Sequence, residues 1–169
     1  MSKEDRYVKA PPKDQKRRTP RWLIELLETK VIERKFKLDA AADAANAVCK
    51  LYINEVSNGL VQPWVDPTFC NPGFAHFGSW IRKGYQEAKD REIVVVMLGP
   101  TGCSQKWFHE VATKGRIYAP DHRINFDDAL TGEPTRGADR DTMIYTFGPG
   151  FWNRGGGGFD ISPLRVRDA

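Results

Sequence analysis

Four consecutive residues, Asn71-Pro72-Gly73-Phe74, combine side-chain types that suit one uncommon task. The exocyclic nitrogen of a nucleobase is conjugated with its ring and hardly nucleophilic, so a reaction there needs groups that draw the lone pair out of the ring. An amide oxygen and a backbone carbonyl that accept its two N–H bonds do this, and a flat aromatic beside them stacks on a base swung out of the duplex. Asn71, the carbonyl of Pro72 and the ring of Phe74 supply those parts. The tetrapeptide is also ordinary turn material, because Asn-Pro and Pro-Gly are common turn dipeptides, and residue types alone leave both readings open. A second candidate is Asp39 with the alanine-rich turn Ala40 to Ala47. The small side chains of Ala40, Ala41 and Ala42 allow a nucleotide-like cofactor to approach the backbone, with a carboxylate for its polar end. Plain helix packing explains the alanines equally well, and no G-x-G-x-x-G sequence is present.

These residues need elements that deliver them to one place. Thr19-Pro20 reads as a helix start, with Thr19 as N-cap and Pro20 in the first turn, followed by Trp22, Leu23, Leu26, Leu27, Val31 and Ile32 at helical spacing. Phe36 to Asp39 alternates like a short strand, and Thr68-Phe69-Cys70 predicts a strand that carries Asn71 at its carboxyl end. A helix capped by Ser79 follows, with Ile81, Tyr85 and Ala88 on one face; Ile93 to Leu98 is a buried central strand ended by Gly99-Pro100. Ser104 opens a further helix with Trp107, Phe108, Val111 and Ala112 inward and Gly115 as its stop, before strands near Ile117, Ile124 and Met143 to Phe147. Alternating strands and helices imply an α/β domain with a mostly parallel sheet and helices on both faces, in which ligands bind at the carboxyl ends of strands. The expected organisation is a flexible basic arm over residues 1–18, a folded domain over 19–147 and a glycine-rich tail or lid over 148–169.

Composition bounds the rest. At 169 residues the chain fits one domain, and its longest apolar run, Ile93 to Leu98, is far short of the roughly 18 residues that span a bilayer. No apolar segment follows the charged N-terminus, so the expected compartment is the cytoplasm. Cys49, Cys70 and Cys103 are odd in number and far apart, and His76, His109 and His122 are scattered, so neither a disulfide framework nor a metal site is expected. The net charge is +4, yet residues 1–21 hold eight basic side chains against three acidic ones, which leaves the body about neutral. An arm containing Lys16-Arg17-Arg18 can neutralise nucleic-acid phosphates, and Arg123, with Arg116 and Lys114, is a further candidate for phosphate contact. A solvated tail that aids solubility has the same composition.

The succession Thr19-Pro20, Leu38-Asp39-Ala40-Ala41-Ala42, Asn46-Ala47-x-Cys49-x-x-Tyr52, Asn58-Gly59-Leu60, Trp64, Asn71-Pro72-Gly73-Phe74, Trp80 and Trp107-Phe108-His109 resembles the phage-encoded Dam-type DNA adenine-N6 methyltransferase family. The resemblance implies a Rossmann-like methyltransferase fold, S-adenosylmethionine as methyl donor, double-stranded DNA as substrate, no metal, and work in a host cytoplasm, where protection from restriction is the family's usual role. It implies that Asn71, Pro72, Gly73 and Phe74 stand at the catalytic Asn/Asp-Pro-Pro-Tyr positions. Asp39, Ala40 and Ala41 stand at the cofactor-binding turn, Asn58 where a cofactor-side Asp-Gly-Leu is usual, and Thr19 and Pro20 at the segment touching the donor from its other side. Gly73, Phe74 and Asn58 depart from the family pattern. Phenylalanine still stacks on a base, glycine is expected to loosen the loop, and Asn58 removes a carboxylate. The expected activity is site-specific or relaxed adenine-N6 methylation. The alternatives are a catalytically impaired DNA-binding or anti-restriction protein on the same fold, and a cytosine-N4 methyltransferase.

Overall fold

The protein is described by a computed structural model over residues 17–135, 140–155 and 160–166. Its centre is the apolar run, which forms β5 (Val95–Pro100). Successive side chains of a strand point to opposite faces, and both directions are buried here. Val94, Val96 and Leu98 pack with α1 (Arg21–Leu26) and the π-helical turn Leu27–Val31 that continues it, through Leu23, Ile24, Leu27 and Val31. Val95 and Met97 pack on the other side with α2 (Phe77–Arg91) and α3 (Lys106–Glu110), through Ile81, Ala88, Trp107 and Phe108. Helices therefore cover both faces of the sheet, as expected for an α/β domain.

The sheet has seven strands in the order β3 (Leu51–Tyr52), β2 (Leu38–Asp39), β4 (Thr68–Cys70), β5, β8 (Thr142–Phe147), β6 (Arg116–Pro120) and β9 (Asp160–Leu164). The pairs β2–β3, β2–β4, β4–β5 and β6–β9 are parallel, while β8 runs antiparallel between β5 and β6. It is a mixed sheet, mostly parallel. A separate antiparallel pair joins β1 (Arg17–Arg18) to β7 (Asp127–Asp128). The β2–β4 register sets Asp39 opposite Phe69, so the chain leaves both strands at the same edge of the sheet.

Several local expectations are corrected. Pro20 is the N-cap of α1, and no side chain caps that helix, so Thr19 is not its cap. The 3-10 turn Phe74–His76 runs directly into α2, which starts at Phe77, two residues before Ser79. Gln105 rather than Ser104 precedes α3. Ile124 is buried in a loop, and the nearby strand is β7. The stretch expected to be a glycine-rich tail contributes β9, whose residues alternate between half-buried and exposed before Leu164 turns inward. Pro163 is tolerated there because β9 is an edge strand, where a missing backbone donor goes unused. Lys16 with the arm before it, and Gly156 to Gly158, lie outside the described residues.

Among the described residues no helix is long and apolar enough to cross a membrane, and no group of three His, Cys, Asp or Glu side chains is placed to hold a metal. Cys49, Cys70 and Cys103 are free thiols.

The β5 end nearest the Asn71 loop is packed to its limit. Phe77 is 2% exposed, with its ring 5.0 Å from that of Trp107 and 5.6 Å from that of Tyr145. A Cβ added at Gly99 would overlap the Phe77 ring. Gly99→Ala is expected to lower stability by roughly 1–3 kcal/mol through overpacking, read as a lower urea midpoint at an unchanged slope. An unchanged midpoint would mean that the ring has room to move.

Candidate active site

The carboxyl end of β4 delivers Asn71 half-buried, Pro72 buried, Gly73 exposed and Phe74 half-buried. The Asn71 side chain is held at one end only: Nδ2 donates to Thr19 Oγ1 at 3.2 Å, and among the described residues Oδ1 takes no hydrogen bond. Asn71 lines a narrow polar crevice together with Arg17, Thr19, Asp39, Ala41, Asn46 and Phe69. A residue with spare acceptor capacity thus lines a gap between two parallel strand ends, the usual place for a ligand in such sheets.

Gly73 has φ −56° and ψ 137°, and a Cβ there would meet nothing within 4 Å. Proline fixes φ near the same value, so the glycine already holds the backbone shape that a proline would impose. Phe74 is anchored on one side, its ring edge-on to Phe77 at 6.2 Å and 75°. Phe77 belongs to the rigid group with Trp107 and Tyr145, and Tyr145 Oη donates to the Pro100 carbonyl at 2.7 Å.

Asp39 is 2% exposed, and its carboxylate is engaged by its own loop. Oδ1 accepts the Ala41 N–H at 3.3 Å and Oδ2 accepts the Val48 N–H at 3.1 Å, which closes the loop over residues 40–48. Burial pushes this carboxyl from 3.8 up to about 6, against the lowering effect of those two N–H groups. Within the loop, Asp43 Oδ1 accepts from Ala45 and Asn46 while Asn46 Oδ1 accepts from Asp43, a side-chain turn that turns Asn46 to the crevice. Asn46 and Phe69 also line the crevice, although residue type alone points to neither as a site residue. The signal for Asn46 is Asp43 three residues before it; the signal for Phe69 is its place in strand alternation.

The other candidates divide. Ala40 is buried with its N–H donated to Phe69 O at 2.9 Å, beneath the crevice rather than in it. Pro20 is buried, and its carbonyl accepts the first bonds of α1 from Leu23 and Ile24. Asn58 is exposed at φ 57°, a conformation asparagine tolerates, and its Oδ1 accepts Leu60 N–H at 3.1 Å, so it closes its own turn and does not line the crevice. That turn matters indirectly: a Cβ at Gly59 would overlap the Ala40 carbonyl, so only glycine lets this segment press against the Asp39 loop.

Among the cations, Arg17 reaches the crevice, and Arg18 is exposed on the same strand, with Asp127 opposite. Arg123 is elsewhere, in an exposed pair with Asp141 at 3.1 Å, and the other two phosphate candidates have partners within the fold. Arg116 bridges to Asp160 across β6 and β9, and the Lys114 ammonium lies 5.0 Å over the Tyr85 ring.

Residues 7–153 match the sequence model of a family described as DNA N-6-adenine-methyltransferase (Dam). A curated relative named DNA N-6-adenine-methyltransferase, from Escherichia phage T1, is 25% identical over 145 residues. That alignment covers 75% of this chain and 60% of the relative, so the chain spans less than two thirds of the relative's length. No solved structure matches.

The raised Asp39 carboxyl makes stability depend on pH. Between about pH 4 and pH 6 the folded chain keeps a proton at Asp39 that the unfolded chain has released. The stabilisation is therefore complete below the unfolded value and is lost as pH rises through about 6. Asp39→Asn keeps an acceptor and cannot ionise. The stability of wild type relative to this variant is expected to fall by on the order of 2 kcal/mol from pH 4 to pH 7.5, measured by urea unfolding. A difference that grows with pH would contradict the burial argument.

Proposed function

The chain belongs to the DNA N-6-adenine-methyltransferase family, and from that premise we propose that it transfers a methyl group from S-adenosylmethionine to the exocyclic amine of adenine in double-stranded DNA. The observation that carries this reading is Asn71, tied by its Nδ2 to Thr19 with its Oδ1 unused beside the crevice. We read the fold as Rossmann-like, on the strength of the β3-β2-β4-β5 parallel run with helices on both faces.

The residues fit a cationic nucleoside donor. Asp39 offers a buried carboxylate whose charged form a nearby cation would favour, Asn46 offers an amide, and Ala41 leaves space between them. The crevice has a volume of only about 20 Å3, far less than the roughly 300–1,000 Å3 of common small-molecule sites. A whole nucleoside enters only when the loop over residues 40–48 gives way. S-Adenosylmethionine supplies an electrophilic methyl group on a positively charged sulfur.

The chain's own part is to prepare the amine. Asn71 Oδ1 and the Pro72 carbonyl accept its two N–H bonds, which holds the nitrogen pyramidal and its lone pair free of the ring. Phe74, fixed edge-on to Phe77, stacks on the extruded base in the place of tyrosine. No general base is needed beside the nitrogen, since the proton leaves to water after the methyl group has arrived. We assign Arg17 and Arg18, on the strand that borders the crevice, to backbone phosphates. Lys16 lies outside the described residues, and Arg123, already paired with Asp141, contributes less. We place the protein in a host cytoplasm with a short or relaxed target site.

Tritiated methyl transfer to unmethylated duplex DNA, followed by digestion to nucleosides and mass analysis, is expected to yield N6-methyladenine. N4-methylcytosine would move the acceptor to the other ring, and DNA retardation without transfer would mark a binder that has lost the reaction. Asn71→Ala is expected to lower turnover by a factor on the order of 100 or more, as loss of a preorganised polar group does, with S-adenosylhomocysteine binding kept. Equal turnover in that variant would remove Asn71 from the chemistry.

A further inference from the structure

Thr19 is buried, 5% exposed, yet its hydroxyl is not spent on the helix it precedes. It meets the Asn71 amide from 52 residues away in sequence. An asparagine amide presents either an oxygen or two N–H bonds to a given point in space, depending on a half-turn about its terminal bond. Only the first orientation can accept from an amine; the second sets donor against donor. A threonine hydroxyl can accept from Nδ2 or donate to Oδ1; here it accepts from Nδ2, and among the described residues no other group bonds the Asn71 side chain, so this contact holds the amide in the first orientation.

We propose that Thr19 is the positioning residue for Asn71: by accepting the Nδ2 proton, its hydroxyl turns Oδ1 into the crevice. The inference rests on the reading of Asn71 as the amine acceptor and departs from the role at the donor that resemblance implies for Thr19. The hydroxyl is itself held on both sides. Arg17 and Arg18 before it are pinned to β7 in register with Asp128 and Asp127, and Pro20 after it opens a helix whose Leu23 and Ile24 are at most 1% exposed. Strand β1 and helix α1 thus form a strap that brings one hydroxyl across the end of β4.

The test uses the full chain with three substitutions at this position. Thr19→Val keeps the volume and removes the hydroxyl; Thr19→Ser keeps the hydroxyl; Thr19→Ala carries the same expectation as valine should that variant fail to fold. Thr19→Val is expected to lose kcat by on the order of tenfold or more, the scale of one lost hydrogen bond at a reacting group, with DNA KM and S-adenosylhomocysteine affinity unchanged. Thr19→Ser is expected to retain most of the wild-type kcat. The side-chain amide protons of Asn71, followed by 15N NMR, are expected to exchange slowly in wild type and Thr19→Ser and rapidly in Thr19→Val. Wild-type kcat in Thr19→Val, equal losses in serine and valine variants, or weakened S-adenosylhomocysteine binding with kcat intact would each overturn the proposal. A wild-type protein without transfer activity would defeat the proposed function, and the amide exchange would still decide the role of Thr19.

Discussion

Two very short strands, β2 and β4, run side by side in parallel, with Asp39 opposite Phe69, and the crevice depends on that pairing. Parallel neighbours leave a sheet at the same edge. The loop after buried Asp39 and the Asn71 loop therefore stand against each other, although 32 positions separate Asp39 from Asn71 in the chain. The pairing is in turn locked by β5, whose side chains are buried on both faces, so that neither strand end can shift without disturbing two layers of packing.

The two loops meet the crevice with different chemistry. At the Asp39 loop, both carboxylate oxygens are occupied by backbone N–H groups, so this acid shapes the loop and contributes its charge from within rather than by open contact. At the Asn71 loop, an amide is fixed at its nitrogen and free at its oxygen. Gly73 keeps the proline-like backbone, and Phe74 leans on the Phe77, Trp107 and Tyr145 rings. The departures from the family pattern thus fall where the backbone keeps a proline-like shape and the ring is packed on one side. Asn58 differs, because its side chain serves its own turn, and Gly59 is what brings that turn against Ala40.

The parts legible in the sequence are those written in consecutive residues. The apolar run to Leu98, the strand at Thr68 to Cys70 and the break at Asn71-Pro72 follow from alternation and turn chemistry within short windows, and each is found close to its expected place. Residue types point to Asp39, Ala41 and Asn71, the family resemblance adds Thr19, and all four line the crevice. Distant partnerships were not legible. Thr19 looks like a helix cap because local rules favour it there, whereas a hydrogen bond to Asn71 depends on where β4 ends. Ser79 and Ser104 look like caps for a related reason, whereas the turn Phe74–His76 sets where α2 begins and Gln105 precedes α3. Strand β9 was hidden by Pro163 and flanking glycines, and its pairing with β6 spans 44 positions from Arg116 to Asp160.

The central claim is that the gap between the Asp39 and Asn71 loops is where the donor and the amine meet. A crystal structure with S-adenosylhomocysteine bound tests it most directly. The product analogue is expected to lie against Ala41 and Asn46, with its sulfur on the Asn71 side and the loop over residues 40–48 displaced outward. Density for the analogue elsewhere on the protein, with this gap unchanged, would contradict the claim.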